Sequence, residues 1–139
     1  MQQDNIPAIV SVRKVSKYDR MDILRAVAEI YEAAGGPDPR GKKVLLKPNI
    51  LTDVAPERAV TTHPDVFWAC ARYFIDRGAE VLAGDSPGIH NTGFIPKICG
   101  IAAVCNELNI PWIDFTKDPV QRKKFRLAKI INDVDLIVS

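Results

Sequence analysis

The stretch that decides the fold is "KVLLKPNILTDVAPERAVTTHPD", residues 43–65. A short apolar run, Val44-Leu45-Leu46, ends in Lys47-Pro48-Asn49. Proline fixes its own φ and drives the residue before it toward extended backbone, so Pro48 marks where a strand leaves its sheet. A polar loop from Ile50 to Thr62 then reaches Pro64, a residue suited to the first position of a helix. Strand, long loop, helix is the opening of a parallel β-α-β unit. Loops this long inside compact domains are usually functional or disordered. The 50–62 loop is therefore expected to line a site above the sheet.

The same pattern extends both ways. Toward the N-terminus, Ile9 to Val15 alternates and predicts a first strand. Asp19 can cap the next helix, with Asp22 in its first turn and Ile23, Val27, Ile30, Tyr31 and Ala34 at helical spacing. Gly35-Gly36-Pro37 stops it. Beyond Pro64, apolar Val66, Cys70, Tyr73 and Phe74 share a helix face that ends at Gly78, and Glu80 to Ala83 reads as a strand. A loop rich in glycine, asparagine and proline runs to about Pro96. A third helix carries Ile98, Ile101, Ala102, Cys105 and Leu108, and Ile110 to Phe115 is a further strand. Arg122 to Leu127 reads as a polar edge strand; a helical turn then leads to an apolar strand, Asp135 to Val138. The expected architecture is one α/β domain over residues 1–139, layered, with a mostly parallel central sheet flanked by helices. The sequence stops at Ser139 directly after an apolar strand. It is accordingly expected to be the N-terminal piece of a longer chain, with self-association through an uncovered edge at Leu136 to Val138.

Composition narrows the function classes. A chain of 139 residues can bury a real core, and at 47% hydrophobic, 26% charged and net charge +2 it makes no global electrostatic bid for nucleic acid or an anionic membrane. "RKKFR", residues 122–126, holds one aromatic and fits a lysine-guarded edge better than a nucleic-acid patch. No apolar run approaches the roughly 18 residues of a membrane span, and the N-terminus lacks a secretory pattern, so a cytoplasmic location is expected. Cys70, Cys99 and Cys105 show no C-x-x-C spacing and read as small core residues. The two histidines, His63 and His90, have no metal-binding spacing; no metal site is expected, and His90 reads as a loop residue.

Ligands of parallel α/β sheets bind beyond the carboxyl ends of the strands. Two strand ends are chemically loaded here. One presents Lys47 and Asn49. The other is "AGDSPG", residues 83–88, where Ser86-Pro87-Gly88 suits a type II turn and leaves the Asp85 carboxylate at the strand terminus. If these strands are neighbours, Lys47, Asn49, Asp85 and Ser86 converge. A lysine, a carboxylate and small polar groups can orient a polar substrate or pass a proton. Thr61, Thr62 and His63 stand at the helix start, with either His63 or Thr62 as its cap. The expected site therefore comprises Lys47, Asp85 and His63 as catalytic groups, with Asn49, Thr61, Thr62 and Ser86 binding substrate.

"VLLKPNIL", "AVTTHPDV", "GAEVLAGDSPG" and "CGIAAVCNELNIPWIDF", in that order and spacing, resemble the domain-of-unknown-function family 362. The likeness runs from about Lys14 onward. It implies family positions at Lys47, Pro48, Asn49, Thr62, Pro64, Gly84, Asp85 and Ser86. It also implies a continuation into a P-K-x-K-T-H segment and, in many members, a ferredoxin-like cysteine cluster. No cofactor is then expected in this segment, with an iron–sulfur cluster in the part beyond it. Two function classes stay open. One is the pocket-bearing part of an enzyme of redox or anionic small-molecule metabolism, with a small-molecule ligand as partner. The other is a non-catalytic binding or scaffold domain coupled to an iron–sulfur module.

Overall fold

The computed structural model describes residues 8–86, 96–115, 117 and 119–139. Helix α1 spans Arg20–Ala33, strand β1 Lys43–Leu46, helix α2 Pro64–Asp76, strand β2 Glu80–Asp85, helix α3 Ile101–Glu107 and strand β3 Trp112–Asp114. Strands β4, Val120–Arg122, and β5, Phe125–Leu127, precede β6, Leu136–Val138. The main sheet has the order β3-β2-β1-β6, and every pairing in it is parallel. The fold is α/β, as the alternation of elements predicts.

Local chemistry starts and stops the helices. The Asp19 carboxylate accepts the Met21 and Asp22 N–H groups and so caps α1. Of the two candidate caps for α2, the structure selects His63, whose ring nitrogen accepts the Asp65 N–H ahead of Pro64. α1 packs on α2, and α2 packs on α3, β1 and β2. The core between helices and sheet joins Ile23 and Val27 of α1, Phe67, Tyr73 and Phe74 of α2, and Val44, Leu46, Val81 and Ala83 of the strands. Alternation along β1 sends Leu45 to the other face, where it is also buried. Strands buried on both sides read as apolar runs, which is why "VLL" carries no polar alternation.

Four details depart from the sequence reading. Residues 8–15 form no strand, and Ile9, Val10 and Val12 are exposed: alternation makes a segment competent for a sheet, but this one pairs with no described strand. Residues 120–127 are a hairpin in its own two-stranded sheet, not one strand of the main sheet, because Lys123 turns the chain at φ 54°. β2 runs on to Asp85, so that carboxylate ends the strand itself. Helix α3 starts only at Ile101, leaving Ile98 exposed. At its start Gly100, at φ 84°, lies against Pro64, where a side chain would crowd the proline ring.

Candidate functional site

The carboxyl ends of β1 and β2 lie side by side, with Leu46 opposite Ala83. Pro48 takes the chain out of β1, and Asn49 follows at φ 53°. Asparagine tolerates this left-handed conformation better than most residues. The turn swings the backbone back over β2, and the Ile50 N–H donates to the Asp85 carboxylate. The other Asp85 oxygen accepts the Ser86 N–H at 2.8 Å and lies 3.0 Å from the Lys47 ammonium. The Lys47 Nζ also donates to the Asn49 Oδ1 at 2.6 Å, while the Asn49 amide donates to the Lys47 carbonyl and the Ser139 hydroxyl, each at 3.3 Å. The Asp85 side chain is 2% exposed and that of Lys47 33%. The pair is thus a buried carboxylate held by backbone amides and reached from the solvent side by a lysine.

Lys47, Asn49, Asp85 and the backbone of Ser86 are brought together. Thr62 joins Lys47 and Asn49 along a cavity of about 240 Å³, floored by Leu46, Val66, Phe67 and Cys70 and edged by Val138 and Ser139. His63 and Thr61 sit in a different setting. The His63 Nδ1 accepts the Asp65 N–H at 3.2 Å, a role that needs that nitrogen unprotonated, and the ring stacks on Tyr18 at 3.7 Å. The Thr61 hydroxyl donates to the Thr52 carbonyl at 3.0 Å and ties the two ends of the long loop together. Ser86 also lines a second cavity of about 520 Å³, with Phe115, Leu127, Ile131 and the guanidinium-bearing Arg126. A Cβ at Gly84 would overlap the Phe115 ring, so glycine is what lets that ring lie against the end of β2. Pro87, Gly88 and His90 lie outside the described residues.

Several residues of the site were not legible in the sequence. Asp53, in mid-loop, accepts the N–H groups of Lys97, Ile98 and Cys99 at 3.1, 3.0 and 2.8 Å, anchoring the loop to the segment before α3. Partial burial pushes its carboxyl up, but the Ile98, Cys99 and Lys97 amides outweigh that, and the net shift is below the ordinary value. Arg20 joins Asp65 and Glu107, and Trp68 donates to Glu107 at 2.8 Å, binding the starts of α1 and α2 to α3. The only signal for Asp53 was the unusual length of its loop. Burial pushes the thiols of Cys70, Cys99 and Cys105 up to about 11, so they are protonated and inert at neutral pH. Among the described residues no group of three or more His, Cys, Asp or Glu is placed to hold a metal ion. No described helix is long and apolar enough to cross a membrane.

Parallel α/β sheets bind ligands beyond the carboxyl ends of their strands, and it is there that the polar residues of this sheet meet. The profile of the Domain of unknown function (DUF362) matches residues 44–139, and the chain belongs to that family. It is 28% identical over 138 residues to the thylakoid-associated protein sll1697 of Synechocystis sp., a match covering 94% of this chain and 43% of that protein. The chain therefore spans less than half the length of that relative. No solved structure matches it.

Proposed function

We propose that this domain is the pocket-bearing part of an enzyme that acts on a small organic anion, in a cytoplasmic setting. The supporting observation is the Lys47–Asp85 pair at 3.0 Å, set between neighbouring parallel strand ends and opening on a cavity through the lysine alone. A buried carboxylate beside an accessible ammonium is a proton-handling and anion-orienting arrangement. The test is calorimetric titration of the intact protein and its Lys47→Met variant with a panel of small carboxylates and phosphates. Loss of one charge-assisted hydrogen bond should weaken binding by about 10- to 100-fold. The fold should lose about 1–3 kcal/mol, because the buried Asp85 carboxylate keeps its two backbone amides but loses its counter-charge. A variant that binds the same anions with unchanged affinity overturns the proposal.

One observation favours a second reading, a scaffold domain coupled to an iron–sulfur module. Asp85 is fully engaged by Lys47 and by the Ile50 and Ser86 amides, as a purely structural carboxylate would be. That reading predicts no saturable anion binding at all. The thylakoid association named for the Synechocystis relative bears on location, and fractionation of the native protein between membrane and soluble phases tests the cytoplasmic setting.

A further inference from the structure

The cavity beside Lys47 is polar on one wall and apolar on its floor, and its polar groups are incompletely used. An ammonium has three N–H donors. In Lys47 one serves Asn49 Oδ1, and the ammonium is ion-paired with Asp85 Oδ1 at 3.0 Å, which takes up a second. The third has no acceptor among the described residues. The Thr62 hydroxyl, on the same cavity, likewise has no side-chain hydrogen bond there. By contrast the hydroxyl of its neighbour Thr61 is committed to Thr52, and both Asn49 N–H groups are committed, to Lys47 and Ser139. Among the described residues, the Lys47 and Thr62 donors that lack an acceptor thus line one space.

Beyond these groups and Ser139, the lining is hydrocarbon and a protonated thiol: Leu46, Pro48, Val66, Phe67, Cys70 and Val138. Its volume of about 240 Å³ equals the liquid share of roughly eight water molecules. Charge limits the head group. Asp85 already neutralises Lys47, so a dianion would bring two uncompensated charges where a monoanion brings one, and a single negative charge spread over two oxygens can accept from both Lys47 and Thr62.

Resting on the reading proposed above, we infer that the cavity takes a short aliphatic monocarboxylate, its carboxylate bridging the Lys47 ammonium and the Thr62 hydroxyl and its chain lying on Val66, Phe67 and Cys70. Thr62 is then a head-group residue and Cys70 sets the chain length accepted.

The experiment is a titration of the intact protein with the linear acids acetate, butyrate, hexanoate, octanoate and dodecanoate, and with inorganic phosphate. Affinity should rise by about fourfold per methylene until the floor is covered, near six to eight carbons on the volume given, and then level or fall. Phosphate should bind at least tenfold more weakly than butyrate. Thr62→Val should weaken every acid by a similar factor, about tenfold, and leave the chain-length slope alone. Cys70→Leu should leave acetate unchanged and move the optimum to a shorter chain; Cys70→Val, which adds less bulk, serves if the leucine variant does not fold. Anion binding that needs Lys47 but ignores chain length, or that prefers phosphate, overturns this inference and leaves the broader anion reading standing. Absence of any anion binding overturns both.

Discussion

The two ends of the main sheet are built in opposite ways. At the amino end, residues 77–79 suffice to join α2 to β2, with Gly78 at φ 80°. The Gly41 N–H donates to the Gly78 carbonyl at 2.9 Å, binding the two turns at that end. Tyr31, Tyr73 and Phe74 pack there with ring centroids 5.1–5.2 Å apart, and the Arg77 guanidinium lies over Tyr73 at 3.7 Å. At the carboxyl end, residues 47–63 join β1 to α2, and the space they frame holds a buried carboxylate and a cavity in place of a cluster of three rings. Short turns leave aromatic packing nothing to do but stabilise. The long loop spends chain length on placing amides and charges, which stabilises less per residue and leaves groups free to meet a ligand. On the function proposed above, stability and binding are thereby separated along the strand axis.

The sharpest way to break it is at the amino end. Phe74→Ala removes a ring that is 1% exposed and should cost about 3–5 kcal/mol in denaturant unfolding. At the low denaturant concentrations where the variant is folded, anion affinity should match the parent. A folded variant with weakened binding would show that the two ends are coupled.

Asp85→Asn probes the carboxyl end. The amide keeps one acceptor oxygen and puts an N–H₂ where the Ile50 or Ser86 amide, or Lys47, now finds an acceptor. The expected loss is about 1–3 kcal/mol, from a buried donor left unpaired. Bonds to two backbone amides give this carboxylate a structural share that its place at a strand end did not reveal. Equilibrium unfolding that shows no cost would mean the loop closes over β2 without it.

Asp53 should give the smallest effect. Asp53→Ala removes the acceptor of three N–H groups that are partly in water, for about 1 kcal/mol. Its pH signature has a definite sign. Its folded pKa lies below the unfolded one, so its contribution is fully present above the unfolded value of about 3.9 and is lost as pH falls through the folded pKa. Stability of the parent should thus fall more than that of Asp53→Ala on acidification below about pH 4. Parallel curves in melting experiments from pH 2 to 7 would contradict the latch.

The sequence by itself determined what is local. Proline and glycine positions, capping aspartates and apolar periodicity act within a few residues, so α1, α2, β1 and β2 and the α/β class were all legible from the chain, and "KPN" with "GDSP" identified the loaded strand ends. Which partners those elements find was decided only in three dimensions. Ile9 to Val15 has the pattern of a strand yet pairs with no described strand, since pairing depends on neighbours the pattern does not name. Asp53 reaches residues 97–99, and Asp85 reaches back to Ile50, across sequence separations that no spacing rule encodes. The commitment of Thr61 was decided there too, because two adjacent threonines look identical until the fold gives one of them, here Thr61, an acceptor among the described residues.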